Sequence, residues 1–121
     1  MVKALFDTNI LIDYLNAILP AKHELLRYQE KAISVISWME VMVGTDASNA
    51  KDTEVFLAGF SLVDLDDSIA KQAVALRKQH RLKLPDAIIW ASAQVNAMLL
   101  VTRNVKDFQK NEPGIRVPYK I

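Results

Sequence analysis

The 121-residue sequence predicts an α/β fold with a mostly parallel sheet and right-handed crossovers. Short apolar, β-rich runs alternate along the chain with segments whose apolar residues recur at helical spacing. Hydrophobic residues make up 51% of the chain and the net charge is only +1, which argues against disorder and for one packed core. No repeat, low-complexity tract or Gly/Ser linker divides the chain, so residues 1–121 read as a single domain.

Residues 2–6 form a short apolar run, with Lys3 its only charge, and it ends at Asp7. Residues 9–15 read as a helix with Ile10, Leu11 and Leu15 apolar; Pro20 interrupts, and residues 21–29 resume as a helix carrying Leu25 and Leu26. Residues 32–36 are β-rich, Ser37 opens a helix running to about Val43, and Gly44 stops it. Residues 52–59 look helical and 61–65 extended. Asp66 or Asp67 then caps a helix whose face carries Ile69, Ala73 and Leu76. Pro85 stands where a first helical residue is expected, followed by helix over 87–97, a strand over 98–102 and a weak last strand over 114–118.

Composition removes several function classes. With no cysteine there is no disulfide framework, thiolate zinc site, iron–sulfur cluster or thiol nucleophile. His23 and His80 offer no paired metal-binding spacing and sit among charged residues, as solvated side chains do. The first fifteen residues are interrupted by Asp7, Asn9 and Asp13, unlike a signal peptide, and the greasiest stretch, 87–101, is too short to span a bilayer. A cytoplasmic protein without membrane attachment is expected. Fifteen basic against fourteen acidic residues give no broad footprint for nucleic acid, so any such binding needs a local patch.

The carboxylates carry the functional signal. Asp7 closes the first strand, Glu40 lies in the first turn of the helix after the second, and Asp107 follows the strand over 98–102. Ligands of open α/β sheets bind beyond the carboxyl ends of the strands. Asp86, in the first turn of the Pro85 helix, joins them if the topology returns that helix start to the same edge. Such acids cannot crowd together ionised unless a cation neutralises them, and hard oxygen donors suit Mg²⁺ or Mn²⁺. The matching chemistry is metal-assisted phosphodiester hydrolysis. Each acid also has a structural explanation: Ser37 to Glu40 fits a capping box, Asp7 caps the next helix, and Asp86 favours a helix dipole.

Four segments together resemble the PIN-domain family, and specifically the VapC-type toxin ribonucleases of toxin–antitoxin pairs. They are Leu5-Phe6-Asp7-Thr8-Asn9-Ile10-Leu11-Ile12-Asp13, Ser37-Trp38-Met39-Glu40-Val41-Met42-Val43-Gly44, Leu84-Pro85-Asp86-Ala87-Ile88-Ile89-Trp90-Ala91 and Leu100-Val101-Thr102-Arg103-Asn104-Val105-Lys106-Asp107-Phe108. The resemblance implies a three-layer α/β/α sandwich on a mostly parallel sheet of four to five strands. It also implies a metal-dependent endoribonuclease in which Asp7 and Asp86 ligate Mg²⁺ or Mn²⁺, with Glu40 a further acid. At the fourth position many relatives have an acid where this chain has Asn104, and others rely on the acid three residues later, here Asp107; we favour Asp107. Thr8 and Thr102 are expected to support the carboxylates as hydroxyl donors, alongside Asn104.

Arg103, beside the pocket, is the candidate for RNA phosphate, and the Lys78, His80, Arg81 and Lys83 cluster reads equally as a phosphate contact or a solvated helix end. Asp13 is expected to point away from the site, and Trp38 and Trp90 to be core or interface anchors. By resemblance the partners are an RNA substrate, a VapB-like antitoxin and a second copy in a homodimer. The 21–26 and 52–59 segments are compatible with an apolar groove for the antitoxin. The alternative reading is a catalytically weak PIN-like module that binds a protein. A phosphoryl-accepting Asp7 ranks last, because Asn9 and Leu11 stand where an Asp-x-Asp-x-Thr phosphatase has its second acid and threonine.

Overall fold

A computed structural model describes residues 2–108 and 112–121. Strands β1 (Lys3–Phe6), β2 (Glu30–Ser34), β3 (Ser61–Val63), β4 (Leu99–Val101) and β5 (Ile115–Arg116) form one sheet in the order β3-β2-β1-β4-β5, every neighbouring pair parallel. The helices are α1 (Thr8–Leu15), α2 (Leu19–Leu26), α3 (Val35–Val43), α4 (Ala50–Ala58), α5 (Asp67–His80) and α6 (Leu84–Val95). The chain steps outward from β1 to β3 on one side, then returns through α5 and α6 to β4 on the other. The order therefore reverses between β1 and β4, and a crevice opens there at the strands' carboxyl ends.

Strand alternation divides the core into two layers. Leu5 and Leu100 point to the face covered by α5 and α6, where they meet Ile69, Ala73, Leu76, Ile89 and Trp90. Ala4, Phe6 and Val101 point to the other face and pack with Ile10 and Leu11 of α1, Leu25 of α2, Val41 of α3 and Leu57 of α4. Right-handed crossovers account for this division: leftward steps put α1–α4 on one face, and the return puts α5–α6 on the other. The expected three-layer sandwich is the observed one, with the sheet fully parallel. Among the described residues, no helix is long and apolar enough to cross a membrane.

One boundary departs from the sequence reading in a way that matters for the site. The second strand was expected over 32–36 and a capping box at Ser37, but β2 ends at Ser34 and α3 begins at Val35. Ser34 Oγ accepts from the Ile36 backbone N–H at 3.0 Å, so Ser34 is the N-cap. The β-branched pair Val35-Ile36 reads as strand by propensity, yet the cap places it in the first helical turn. Ser37 is thereby freed from capping and fully buried, and Glu40 lies in the second turn of α3.

Candidate active site

Asp7 sits at the reversal of strand order. Its backbone N–H donates to the Val101 carbonyl at 2.9 Å, extending the β1–β4 ladder one residue past the strand. The side chain is only 4% exposed, and both oxygens are gripped. Oδ1 accepts from the Thr8 backbone N–H at 2.7 Å, and Oδ2 accepts from the Thr102 hydroxyl at 2.7 Å. Burial pushes the Asp7 carboxyl above its ordinary range; the two hydrogen bonds oppose that rise, and the charges of Glu40 and Asp107 add to it. Asp7 is thus both the helix cap and a member of the acidic group.

Glu40 reaches the same place from α3. Thr8 Oγ1 lies 2.7 Å from Glu40 Oε1 and 2.9 Å from Ser37 Oγ. A hydroxyl has one proton, so the favourable arrangement has Thr8 donating to the carboxylate and Ser37 donating to Thr8. Asp86, the third residue of α6, is half-exposed, and among the described residues no hydrogen bond holds its carboxyl. Its pKa is raised to about 6, first by burial and then by the charges of Asp7, Asp107 and Glu40, with Lys83 opposing. Asp107 is fixed by its neighbour: Asn104 Nδ2 donates to Asp107 Oδ2 at 2.9 Å, while Asn104 Oδ1 accepts from the Asp107 backbone N–H at 3.2 Å. Asn104 therefore orients the acid, and Asp107 is the residue whose charge reaches Asp7 and Asp86.

The chain brings Asp7, Glu40, Asp86 and Asp107 into one electrostatic neighbourhood from four separate segments. The ion pairs among the described residues are Arg27–Glu24, Arg103–Asp13 and Arg116–Glu24, so none of these four acids has a cationic partner of its own. Every donor is a hard oxygen, and Glu40 Oε2 and Asp107 Oδ1 have no hydrogen-bond donor among the described residues. That chemistry suits Mg²⁺ or Mn²⁺. Among the described residues no three acids are spaced to share one ion.

Arg103, expected at an RNA phosphate, is instead engaged by Asp13. The Arg103 guanidinium donates through Nε and Nη2 to Asp13 at 2.7 and 3.0 Å, a bidentate pair, and the Tyr119 hydroxyl donates to the same carboxylate at 2.8 Å. Asp13 points away from the acids, as expected, but it is buried at 4% exposure and holds the loop after β4 against α1. Asn9 Oδ1 accepts from the Arg103 backbone N–H at 3.1 Å, and Thr102 Oγ1 accepts from that of Asn104 at 3.0 Å. The i, i+4 placement of Asn9 and Asp13 on an otherwise apolar helix was the available signal for this loop clamp. Ser37 carried no such signal once read as a cap. Trp90 is core, with its ring edge-on to Phe108 at 5.7 Å.

A groove of about 250 Å³ lies between α2 and α4, lined by Tyr14, Leu25, Leu26, Phe56 and Phe60 with Lys22 and Lys31 at its rim. It is formed by the helices from which an apolar groove was expected.

The PIN domain family profile matches residues 4–112. The chain is 29% identical to Ribonuclease VapC10 of Mycobacterium tuberculosis over 125 residues, covering 94% of each. It is similar to a chain of a toxin-antitoxin complex from Klebsiella pneumoniae, with 46% identity, a TM-score of 0.93 and coverage of 98% of this chain and 100% of that one. A chain in the DNA-bound VapBC of Salmonella typhimurium matches at 25% identity and a TM-score of 0.76, over 96% of both chains.

Proposed function

The chain belongs to the PIN domain family, and from that we propose that it is an endoribonuclease, the toxin of a toxin–antitoxin pair, dependent on Mg²⁺ or Mn²⁺. The observation that carries this reading is the group of four carboxylates, drawn from four segments, whose charges help raise the pKa of Asp7 and Asp86 and which have no paired cation among the described residues. The ribonuclease name of the Mycobacterium tuberculosis relative and the toxin-antitoxin complex from Klebsiella pneumoniae support it.

In this reading Asp7, Asp86 and Glu40 hold the ion. When bound, the ion offsets phosphate charge, activates water for in-line attack and stabilises the leaving oxygen. The protein's own contribution is placement. Thr102 and the Thr8 backbone hold both Asp7 oxygens in place, and their hydrogen bonds oppose the rise in pKa that burial causes. Thr8 aims Glu40, Asn104 aims Asp107, and the Asp13–Arg103 pair holds the loop that carries Asn104 and Asp107. Of the four acids, Asp86 is the one with no hydrogen bond to its carboxyl among the described residues. With its guanidinium spent on Asp13, Arg103 keeps only its outer edge for RNA phosphate. An antitoxin is the natural inhibitor, and the groove lined by Leu25, Leu26, Phe56 and Phe60 is the apolar surface available to it, in the homodimer typical of these toxins.

Cleavage of structured RNA in Mn²⁺, abolished by EDTA and by Asp7→Asn, is the direct test; unchanged cleavage by Asp7→Asn removes the mechanism. The second reading, a catalytically weak module that holds a protein, is favoured by the absence of a preformed three-acid cage among the described residues. It predicts no carboxylate-dependent heat when Mn²⁺ is titrated into the purified protein.

A further inference from the structure

Charge is segregated along this chain. Between positions 68 and 85 there is no carboxylate, while Lys71, Arg77, Lys78, Arg81 and Lys83 are basic, so in a chain of net charge +1 the remainder is acidic, at −4. The basic run ends at the acids because α5 and α6 form an antiparallel hairpin. Gln72, near the start of α5, donates to Gln94, near the end of α6, at 2.6 Å. His80, the last residue of α5, packs on Trp90, one turn beyond Asp86, with ring centroids 4.9 Å apart. The tip of the hairpin therefore stands beside Asp86, and the Lys83 charge is felt there.

The tip is built rigidly. Leu82 is buried at 2% exposure, Arg77 Nη1 donates to the Leu82 carbonyl at 2.6 Å, and Arg81 turns the chain with φ 56°. Lys78, Arg81 and Lys83 are exposed and make no ion pair among the described residues. A helix dipole explains cations in the last turn of α5, but not the other two positions. Lys83 is the N-cap of α6, where a cation meets the positive end of the dipole and its side chain makes no cap bond. Arg81 occupies a left-handed position that glycine or asparagine fills at lower cost. Local folding disfavours both residues, so their charge points to a partner.

We propose that the α5–α6 tip, through Lys78, Arg81 and Lys83, is a landing surface for the RNA backbone, holding phosphates that flank the one delivered to the acids. This rests on the nuclease reading. Four carboxylates repel an approaching phosphate strand, and cations at the rim supply the attraction that the acids cannot.

The test uses fluorescence anisotropy of a fluorescein-labelled RNA hairpin of mixed sequence in EDTA, across a salt series, with the full chain and its Lys78→Gln/Arg81→Gln/Lys83→Gln variant. Three lost contacts should weaken binding roughly tenfold at physiological salt and reduce the slope of log K against log salt by about 2. In Mn²⁺, the KM for cleavage should rise while kcat at saturating RNA holds within about twofold, with the free energies then reading as lost binding alone. Lys83→Gln by itself should reduce the slope by about 0.7 and guards against a folding defect in the triple variant. Unchanged affinity and slope in these variants overturn the surface. Displacement of RNA by polyglutamate at equal charge overturns the RNA assignment in favour of an acidic protein. Wild-type protein that binds with the full slope but never cleaves removes the nuclease reading and leaves this surface standing.

Discussion

Asp86→Asn should stabilise the fold while removing its response to metal. The Asp86 carboxyl has a pKa of about 6 against an ordinary 3.8, so at pH 7 the folded state carries a charge it disfavours. The folded state binds more protons than the unfolded one between those values, so stability falls as pH rises through that window. A difference of roughly two units corresponds to about 3 kcal/mol. Because the side chain is half-exposed, solvent screening reduces this to about 1–1.5 kcal/mol. Asparagine keeps the shape, and among the described residues no hydrogen bond to the carboxyl is lost. For a domain of this size the gain raises Tm by about 3–6 °C in EDTA at pH 7. Wild-type protein should gain about 2.7 kcal/mol at an Mn²⁺ concentration of about 100 Kd, and the variant far less. Scanning calorimetry in EDTA and in Mn²⁺ reads both effects. A variant less stable than wild type in EDTA, or one equally stabilised by Mn²⁺, would refute the reasoning.

The pH–rate profile should show kcat/KM rising as Asp86 ionises near pH 6, with the step moving to lower pH as Mn²⁺ is raised, since a cation favours the charged form; a flat profile from pH 5 to 8 contradicts it. Thr102→Val removes the hydroxyl donor to Asp7 Oδ2 and leaves a buried acceptor short of a partner, costing about 1–3 kcal/mol by urea unfolding and pushing the Asp7 pKa further up. Asp13→Asn breaks the bidentate pair with a part-exposed Arg103 and should cost about 2 kcal/mol. It should also lower Mn²⁺ affinity by calorimetry without touching the acids, whereas Tyr119→Phe, which keeps the ion pair, should retain most of it.

Most of the fold was legible because local preference and tertiary context agree. Ile69, Ala73 and Leu76 recur at helical spacing and are all buried, and the alternation of strands with helices dictates the parallel sheet. The start of α3 was misread where two local signals conflict, β-branched Val35-Ile36 against the cap at Ser34, and packing favours the cap. Asp7 could be singled out because its polar neighbours are adjacent in sequence. That Asp86 joins it depends on the antiparallel return of α6, which periodicity cannot supply. The partner of Arg103 lies ninety residues away on α1, so its sequence surroundings suggested phosphate while the fold supplied Asp13. Asn104 and Asp107 were rivals for one role in the sequence; folded, one orients the other.

The central claim is that these carboxylates form a divalent-metal site, and a crystal structure of the chain soaked with Mn²⁺ tests it most directly. The expected result is an anomalous peak bonded to oxygens of Asp7 and Asp86, at roughly 2.0–2.3 Å, with Glu40 ligating directly or through water. A fully soaked crystal with no peak between Asp7 and Asp86, or with manganese held elsewhere, would contradict it.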